Sequence, residues 1–371
     1  MSTKRTNLTR RDFLRLAAIG LGTLTGGRFL SACAKATATA TASPISATAS
    51  SAATATATLV PATPAAAALP AIIKFFPDVP SKVIQTHHAG VWSDGTLVPD
   101  VLRQMLDASI TKLTGLNDAR EAWVALFKPN EKIAIKVNAF SNSIIWTHVP
   151  LVTAVTQSLQ EAGIPAEQIT IFDYKTFELD AAGFPVNADD PGVRCIGMDS
   201  NFSREPSEVL GKQIQLSNIL KECDALINMP ILKSHMMAGI SFAMKNHFGS
   251  IFYPDILHSS DMREVAALNA LPEIMDRTRL IVGDALAANL RYANSYPYWR
   301  QDWTGDSIFM SYDPVAHDTM GLQLLSQALE DDGGNPAGLN AMARPAIHYA
   351  HSLGLGTYDL ANMDIIEQTL T

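Results

Sequence analysis

Lys132-Ile133-Ala134-Ile135-Lys136-Val137-Asn138 carries apolar side chains at successive positions rather than at alternate ones. A strand with one face in water alternates in polarity, so this run reads as a strand covered on both faces of a sheet. The period then changes. Across Val149–Ala162 the apolar positions Val152, Val155 and Leu159 recur at helical spacing. Gly163 supplies a helix stop and Pro165 prevents resumption. Gln168–Asp173 is β-rich again. Strand, helix and strand in this succession form the unit of a parallel sheet.

Working outward, Lys82–Thr86, Ala225–Met229 and Leu280–Gly283 read as further strands, with weaker signals at Val193–Gly197 and Ile308–Ser311. Helical patterns lie at Pro99–Leu113, Asp118–Leu126, Ser217–Cys223, Met262–Leu271 and Ala316–Leu329. The expected fold is α/β, a mainly parallel sheet flanked by helices over residues 80–371, with no internal repeat.

The N-terminus has a different character. It reads Thr9-Arg10-Arg11-Asp12-Phe13-Leu14-Arg15, then an apolar run, then Leu30-Ser31-Ala32-Cys33. Paired arginines ahead of a modestly apolar segment resemble a twin-arginine export signal, the route for folded proteins. Leu-Ser-Ala-Cys resembles a lipobox, which would make Cys33 the lipidated first residue. A spanning anchor fails on length, because Leu16–Gly27 offers 12 residues where a span needs about 20. Residues 1–32 are therefore expected to be a signal peptide. Residues 33–75, dominated by Ala, Thr, Ser and Pro, are expected to be a disordered, flexible tether, since such a stretch buries too little apolar surface to offset ordering. The expected location is the outer face of the cytoplasmic membrane or the cell envelope. The export machinery and, through the lipid anchor, the membrane are the expected partners.

The sequence holds 28 Lys and Arg against 36 Asp and Glu. Cleavage at Cys33 would remove six bases (Lys4, Arg5, Arg10, Arg11, Arg15, Arg28) and one acid (Asp12), leaving 22 against 35 and a net charge of −13. Such a surface repels phosphate backbones, so nucleic acid is not an expected partner. Cys195 and Cys223 sit in apolar contexts that suit buried thiols better than a disulfide. With no Cys-x-x-Cys cluster, a cysteine-ligated iron–sulfur centre is not expected.

In open α/β sheets ligands bind beyond the carboxyl ends of the strands. Those ends deliver Lys136 and Asn138, Asp173, the run Pro230-Ile231-Leu232-Lys233-Ser234-His235, and Asp284. Charged residues are rarely buried without partners, so charges at several strand ends point jointly to a pocket. One straight helix from His235 to Lys245 would part them by about 15 Å. Gly239 instead permits a turn, after which Ser241 is expected to cap a short helix ended by Gly249. Lys233, His235 and Lys245 would then face one space, with a helix N-terminus open to an anion. His247 reads as either solvated or satisfied in the core, outside the site.

Asn228-Met229-Pro230-Ile231-Leu232-Lys233-Ser234-His235, followed by Ala243-Met244-Lys245-Asn246-His247-Phe248-Gly249, resembles the signature of the bacterial and archaeal family called domain of unknown function 362. Ile135-Lys136-Val137-Asn138, Ser311-Tyr312-Asp313-Pro314-Val315-Ala316-His317-Asp318 and Gly354-Leu355-Gly356 are similar to further motifs of that family. The resemblance spans about Ser81 to Ile366. It implies no particular reaction. Some members carry ferredoxin-type cysteine runs, which this chain lacks. Ala287-Ala288-Asn289 stands where a Gly-Pro pair commonly follows the aspartate near 284.

Two kinds of site suit these residues. Lys136, Lys233 and Lys245 would make a cationic cup for a carboxylate or phosphate, with Asn138 and Asn246 orienting that anion. Crowding would lower one lysine into the range of a general base, with His235 as acid. Alternatively Asp173, Asp284, Asp313 and Asp318 would hold a divalent cation through oxygen. Asp313-Pro314 also reads as the start of a helix, with Asp313 as N-cap. The leading expectation is an enzyme acting on a small anionic metabolite. The alternatives are a lipoprotein that only binds a ligand or metal, and an accessory subunit of an envelope redox complex.

Overall fold

The run read as a doubly covered strand is buried from Ile133 to Val137. The computed structural model describes residues 69–140, 144–293 and 295–371; the expected signal peptide, Cys33 and the tether as far as residue 68 lie outside them. Ten strands form one sheet: β1 (Ser81–His88), β2 (Ile133–Lys136), β3 (Ile169–Asp173), β4 (Arg194–Gly197), β5 (Ala225–Asn228), β6 (Ile231–His235), β7 (Gly239–Ser241), β8 (Thr278–Asn289), β9 (Trp303–Ser311) and β10 (Met363–Leu370). Their order is β10-β1-β9-β8-β5-β2-β3-β4, with β6 paired to β8 and β7 to β6. The block from β8 through β5, β2 and β3 to β4 is parallel. β9 runs antiparallel to both β8 and β1, and β10 closes the edge parallel to β1. The sheet is mixed and mostly parallel.

Successive residues of a strand point to opposite faces, and two cores result. Ile133, Ile135, Ile171 and Ile227 pack with Leu102 and Leu106 of helix α1 (Pro99–Thr114), Trp123 of α2 (Ala119–Leu126) and Val152 of α3 (Val149–Glu161). Ala134, Phe172 and Leu226 face the other way. They meet Val315 and Leu325 of helix Pro314–Asp331 and Ala343 and Ile347 of helix Ala337–Ser352. Gly115, in the left-handed region at φ 75, ends α1 where a side chain would be strained. No helix among the described residues is long and apolar enough to cross a membrane.

Several boundaries differ from expectation. The strand expected over Leu280–Gly283 runs from Thr278 to Asn289, because it changes neighbour part-way. Its first part pairs with β5, and beyond Asp284 it pairs with β6. Pro230 sits at the changeover, where its missing N–H costs no ladder bond and its carbonyl accepts from the Asp284 N–H at 2.8 Å. Helix Ala337–Ser352 carries Pro345 internally, which conceals it from a reading of breakers. Its face of Leu339, Ala343, Ala346, Ile347 and Ala350 is buried, and that packing holds it. β10 also goes unread in the sequence, as an edge strand of mixed polarity. At the end of the expected tether, Ile73 is buried and Leu69, Ile72 and Phe75 pack on the core. Cys195 and Cys223 are buried free thiols, their ionisation pushed up to about 12 and about 11 by burial.

Asp313 does what its sequence context suggests as an N-cap, and more. Its carboxylate accepts from Val315 N at 2.7 Å, Ala316 N at 2.8 Å, Thr357 N at 2.9 Å and Ser81 Oγ at 2.5 Å. One buried side chain thus ties β1, a helix start and the Gly354–Gly356 turn, although burial lifts its pKa to about 6. Asp313→Ala removes a cap and strands buried donors, so urea unfolding should show a loss of about 3 kcal/mol.

Candidate active site

The carboxyl ends of the parallel strands are in register. Lys136 lies opposite Phe172 and Asn228, and Asp173 opposite Gly197. Lys136 is fully buried, and its ammonium is 2.6 Å from Asp173 Oδ1. It donates further to Val137 O at 2.6 Å and Asn246 Oδ1 at 3.4 Å. Burial lowers its pKa against the pull of Asp173. The second Asp173 oxygen accepts from Ala139 N at 2.5 Å. Gly249 makes this possible, since a Cβ there would fall 2.5 Å from Asp173 Oδ1 and 2.8 Å from Lys136 Nζ.

Asn246 is the hub that joins this pair to the rest. Its amide donates to Lys136 O at 3.2 Å and Asn228 Oδ1 at 2.7 Å, and its oxygen accepts from Asn138 Nδ2 at 3.4 Å. Asn138 Oδ1 in turn accepts from Lys233 Nζ at 2.6 Å. Lys136 has three donors and three acceptors already. Lys136 and Asn246 therefore brace the site, while Asn138 and Lys233 lie further out in the same network.

Lys233 and His235, two apart on β6, project to the same side. His235 Nδ1 accepts from the N–H groups of Met237 at 3.2 Å and Ala238 at 3.1 Å, which assigns the ring proton to Nε2. Burial, then the charges of Lys245, His258 and Lys233, hold its pKa well below the ordinary value. A neutral ring with Nδ1 occupied is a hydrogen-bond donor through Nε2, not the ready acid that the sequence suggested. Trp299 stacks on His235 at 5.7 Å between centroids, and Lys233 Nζ lies 5.9 Å from the indole.

Lys245 comes from helix Ala243–Asn246 and donates to His258 Nε2 at 3.4 Å, while His258 Nδ1 faces Pro254 O at 3.3 Å. His258 stacks on His235 at 6.0 Å. Burial pushes Lys233 down to about 7, countered by Asp173 and reinforced by Lys245. Burial takes Lys245 to about 7 as well, countered by Asp255. The turn at Gly239, φ 70, forms as expected and brings these groups together.

A family model, Domain of unknown function (DUF362), matches residues 133–323, which contain every group just described. The chain belongs to this family. No curated protein matches it. Among solved structures, it is similar to the lactate racemase apoprotein from Thermoanaerobacterium thermosaccharolyticum, at 9% identity and a TM-score of 0.38 over 67% of this chain and 58% of that one. It is also similar to a protein from Thermotoga maritima, at 10% identity and a TM-score of 0.37 over 69% and 59%. The chain spans under two thirds of the length of either.

Within this family member the four aspartates do not gather, and no cluster of three metal-ligating side chains exists among the described residues. Asp173 serves Lys136. Asp284 Oδ2 accepts from both the backbone N–H and Nδ1 of His148 at 2.8 Å. Burial opposes a charge on His148, but contact with Asp284 outweighs it and raises the imidazole pKa. Asp313 is the cap described above. Asp318 accepts from Ala243 N at 2.6 Å and Met244 N at 3.0 Å. Asp318, not Ser241, thus caps the Lys245 helix, so the N–H groups expected to face an anion are taken. Gly249 lies in the following turn of 3-10 helix instead of ending this one. His247 is buried, its Nδ1 3.3 Å from Ser250 Oγ, and burial lowers it to about 3.

Asn228 and His258 belong to the site without having been singled out, and Gly249, expected only as a helix stop, borders it too. Asn228 and Gly249 stood inside the quoted motifs, but His258 carries no local signal. Lys136→Met leaves Asp173 buried and unpaired, which should cost about 3–5 kcal/mol. Lys136→Met with Asp173→Leu should recover most of that loss in urea unfolding, and an equal loss in the double variant would refute the pairing.

Proposed function

We propose that the domain binds a small anionic metabolite between Lys233 and Lys245 and moves a proton on it. One observation carries this reading: Lys233 and Lys245, each lowered to about 7, accompany the stacked imidazoles of His235 and His258. Such a lysine divides its population between ammonium and amine at neutral pH. Charged, it holds a carboxylate or phosphate; neutral, it accepts a proton from the bound guest. One lysine in each state supplies a holder and a base. Asn138, bonded to Lys233, orients the guest, and His235 Nε2–H offers it a neutral donor.

The same proposal places the domain on an exported lipoprotein, supported by Arg10-Arg11 and Leu30-Ser31-Ala32-Cys33. A second reading, a tethered protein that binds its ligand unchanged, is favoured by the doubly bonded His235 Nδ1, which removes one proton carrier from the cleft.

Both lysines fall below their unfolded value of about 10.4. Between pH 7 and 10 the folded chain therefore binds fewer protons than the unfolded one, so unliganded stability rises with pH there while anion affinity falls. Calorimetric titration with inorganic phosphate should show affinity dropping about tenfold or more from pH 6 to pH 9. Lys233→Ala and Lys245→Ala should each weaken phosphate by about tenfold, the scale of one charged hydrogen bond, with circular dichroism unchanged. Affinity that ignores both pH and these substitutions sinks the proposal.

A further inference from the structure

His148 and Asp284 stand outside the lysine pair but on the same edge of the sheet. Asp284 lies opposite Ile231 in the β8–β6 ladder, and Lys233 is two residues further along β6, about 7 Å away. Ile231 packs with Ile145 and Ala287, and both Trp92 and Trp299 pack against that cluster. Trp299 covers Lys233, and Trp92 meets the His148 ring edge to face, 5.5 Å between centroids. The backbone makes the same connection. Asn138, which accepts from Lys233, is clipped to Thr147 by two bonds of 2.9 Å, one from each backbone N–H. His148 is the next residue.

In this setting His148 is held as a proton carrier. Asp284 is fully buried; one carboxylate oxygen takes the His148 backbone N–H and Nδ1, and the other takes Leu286 N at 3.2 Å. Fastening the start of α3 needs only the backbone contact, so the bond to Nδ1 serves the ring. A carboxylate accepts, which puts the ring proton on Nδ1 and leaves Nε2 to exchange one. The side chain is 18% exposed, and Nε2 has no hydrogen bond among the described residues. Burial opposes a charge on this ring and Asp284 outweighs it, the reverse of His235 and His258, which are both lowered.

We propose that His148, oriented by Asp284, is the general acid that works with the lysine base, and that the guest is an enolisable anion, one carrying a carbonyl group. This rests on the reading of the cleft as an anion site with a lysine base, and adds the second proton carrier and the substrate class. Protons on oxygen and nitrogen exchange with water unaided, so two positioned carriers serve a proton on carbon. An amine base near neutrality takes such a proton only where the electron pair left behind is delocalised onto an oxygen that is protonated in turn. The C–H bond breaks as the lysine N–H bond forms, and its electron pair becomes a C=C bond. The carbonyl π pair forms an O–H bond with the proton from His148 Nε2. The guest keeps its proton count and oxidation level, so no oxidant or co-reactant is needed. The ammonium and the neutral imidazole then exchange protons with water.

The probe is 2-oxobutyrate with the full chain in D2O, its C3 protons followed by NMR. Wild-type protein should speed their replacement by deuterium. His148→Gln should keep the calorimetric affinity for 2-oxobutyrate yet slow the exchange by about a hundredfold, the scale of one general acid. Lys233→Ala should lose affinity instead. Asp284→Asn should slow exchange and move the His148 titration, read by histidine nitrogen NMR, to lower pH. Binding without catalysed exchange overturns the inference and spares the anion site, as does exchange that His148→Gln leaves intact. Phosphate bound and 2-oxobutyrate refused overturns the inference alone, whereas refusal of both overturns the anion site with it. If His148→Gln unfolds, diethyl pyrocarbonate on the wild-type chain decides. Peptide mapping should show His148 modified and 2-oxobutyrate protecting it. Modification that ignores the probe places His148 outside the cleft and overturns the inference.

Discussion

Placing the Lys136 ammonium in the interior beside Asp173 commits much of the surrounding backbone. Neither charge is tolerable there alone, so every remaining donor and acceptor of the pair must be met. The carbonyl of Val137, the N–H of Ala139 and the amide of Asn246 meet them. The first two lie on the segment leaving β2 and the third on the Ala243–Asn246 helix, and each is thereby fixed in position. The pair requires Gly249 beside it, since a methyl group would collide with both charges. Asn246 then carries the constraint to Asn228 and Asn138, and Asn138 carries it to Lys233.

Around that pair the sheet supplies the placement. Parallel neighbours bring strand ends to one edge, so Lys136, Asp173 and Asn228 are adjacent despite their separation in the chain. The length of β8 matters for a different reason. By pairing first with β5 and then with β6, it extends the sheet far enough to present Lys233 and His235 above the Lys136 layer. Asp318 secures the start of the Lys245 helix from another helix altogether, and Asp284 secures the start of α3 through His148. Carboxylates that resemble ligands in a linear reading are here the fastenings of the backbone around the cleft.

The electrostatic character of the cleft follows from crowding and burial together. Burial takes both Lys233 and Lys245 down to about 7, and for Lys233 the neighbouring charges of Lys245 and Lys136 push the same way. The same burial forbids a charge on His235, whose Nδ1 is already engaged by the backbone. On the proposed reading, the amino groups rather than the His235 imidazole are the groups that exchange a proton near neutrality. The aromatic loop from Tyr292 to Trp303 contributes directly through Trp299, which covers both His235 and Lys233.

Layer architecture was legible from periodicity alone, because a strand buried on two faces and a helix buried on one leave different apolar spacings. The N-cap role of Asp313 was legible for a similar reason, as it depends on its nearest neighbours in the chain. Helix Ala337–Ser352 was hidden because packing outweighs the cost of Pro345, and β10 because a sheet edge demands less apolar surface. Which polar side chains are locked into the interior network could not be read, since Lys136 and Lys233 are the same residue type at the same kind of strand end. The difference lies in which groups surround each ammonium, Asp173 at 2.6 Å for Lys136 and Asn138 at 2.6 Å for Lys233. The chain's local chemistry determined which elements form and which charged groups must seek company. Only the folded arrangement, through register, the close approach at Gly249 and the arrival of His258 from a distant loop, decided which of them meet and with what proton affinity. The physical reason is that desolvation and Coulomb interactions depend on distance in space, which residue order does not record.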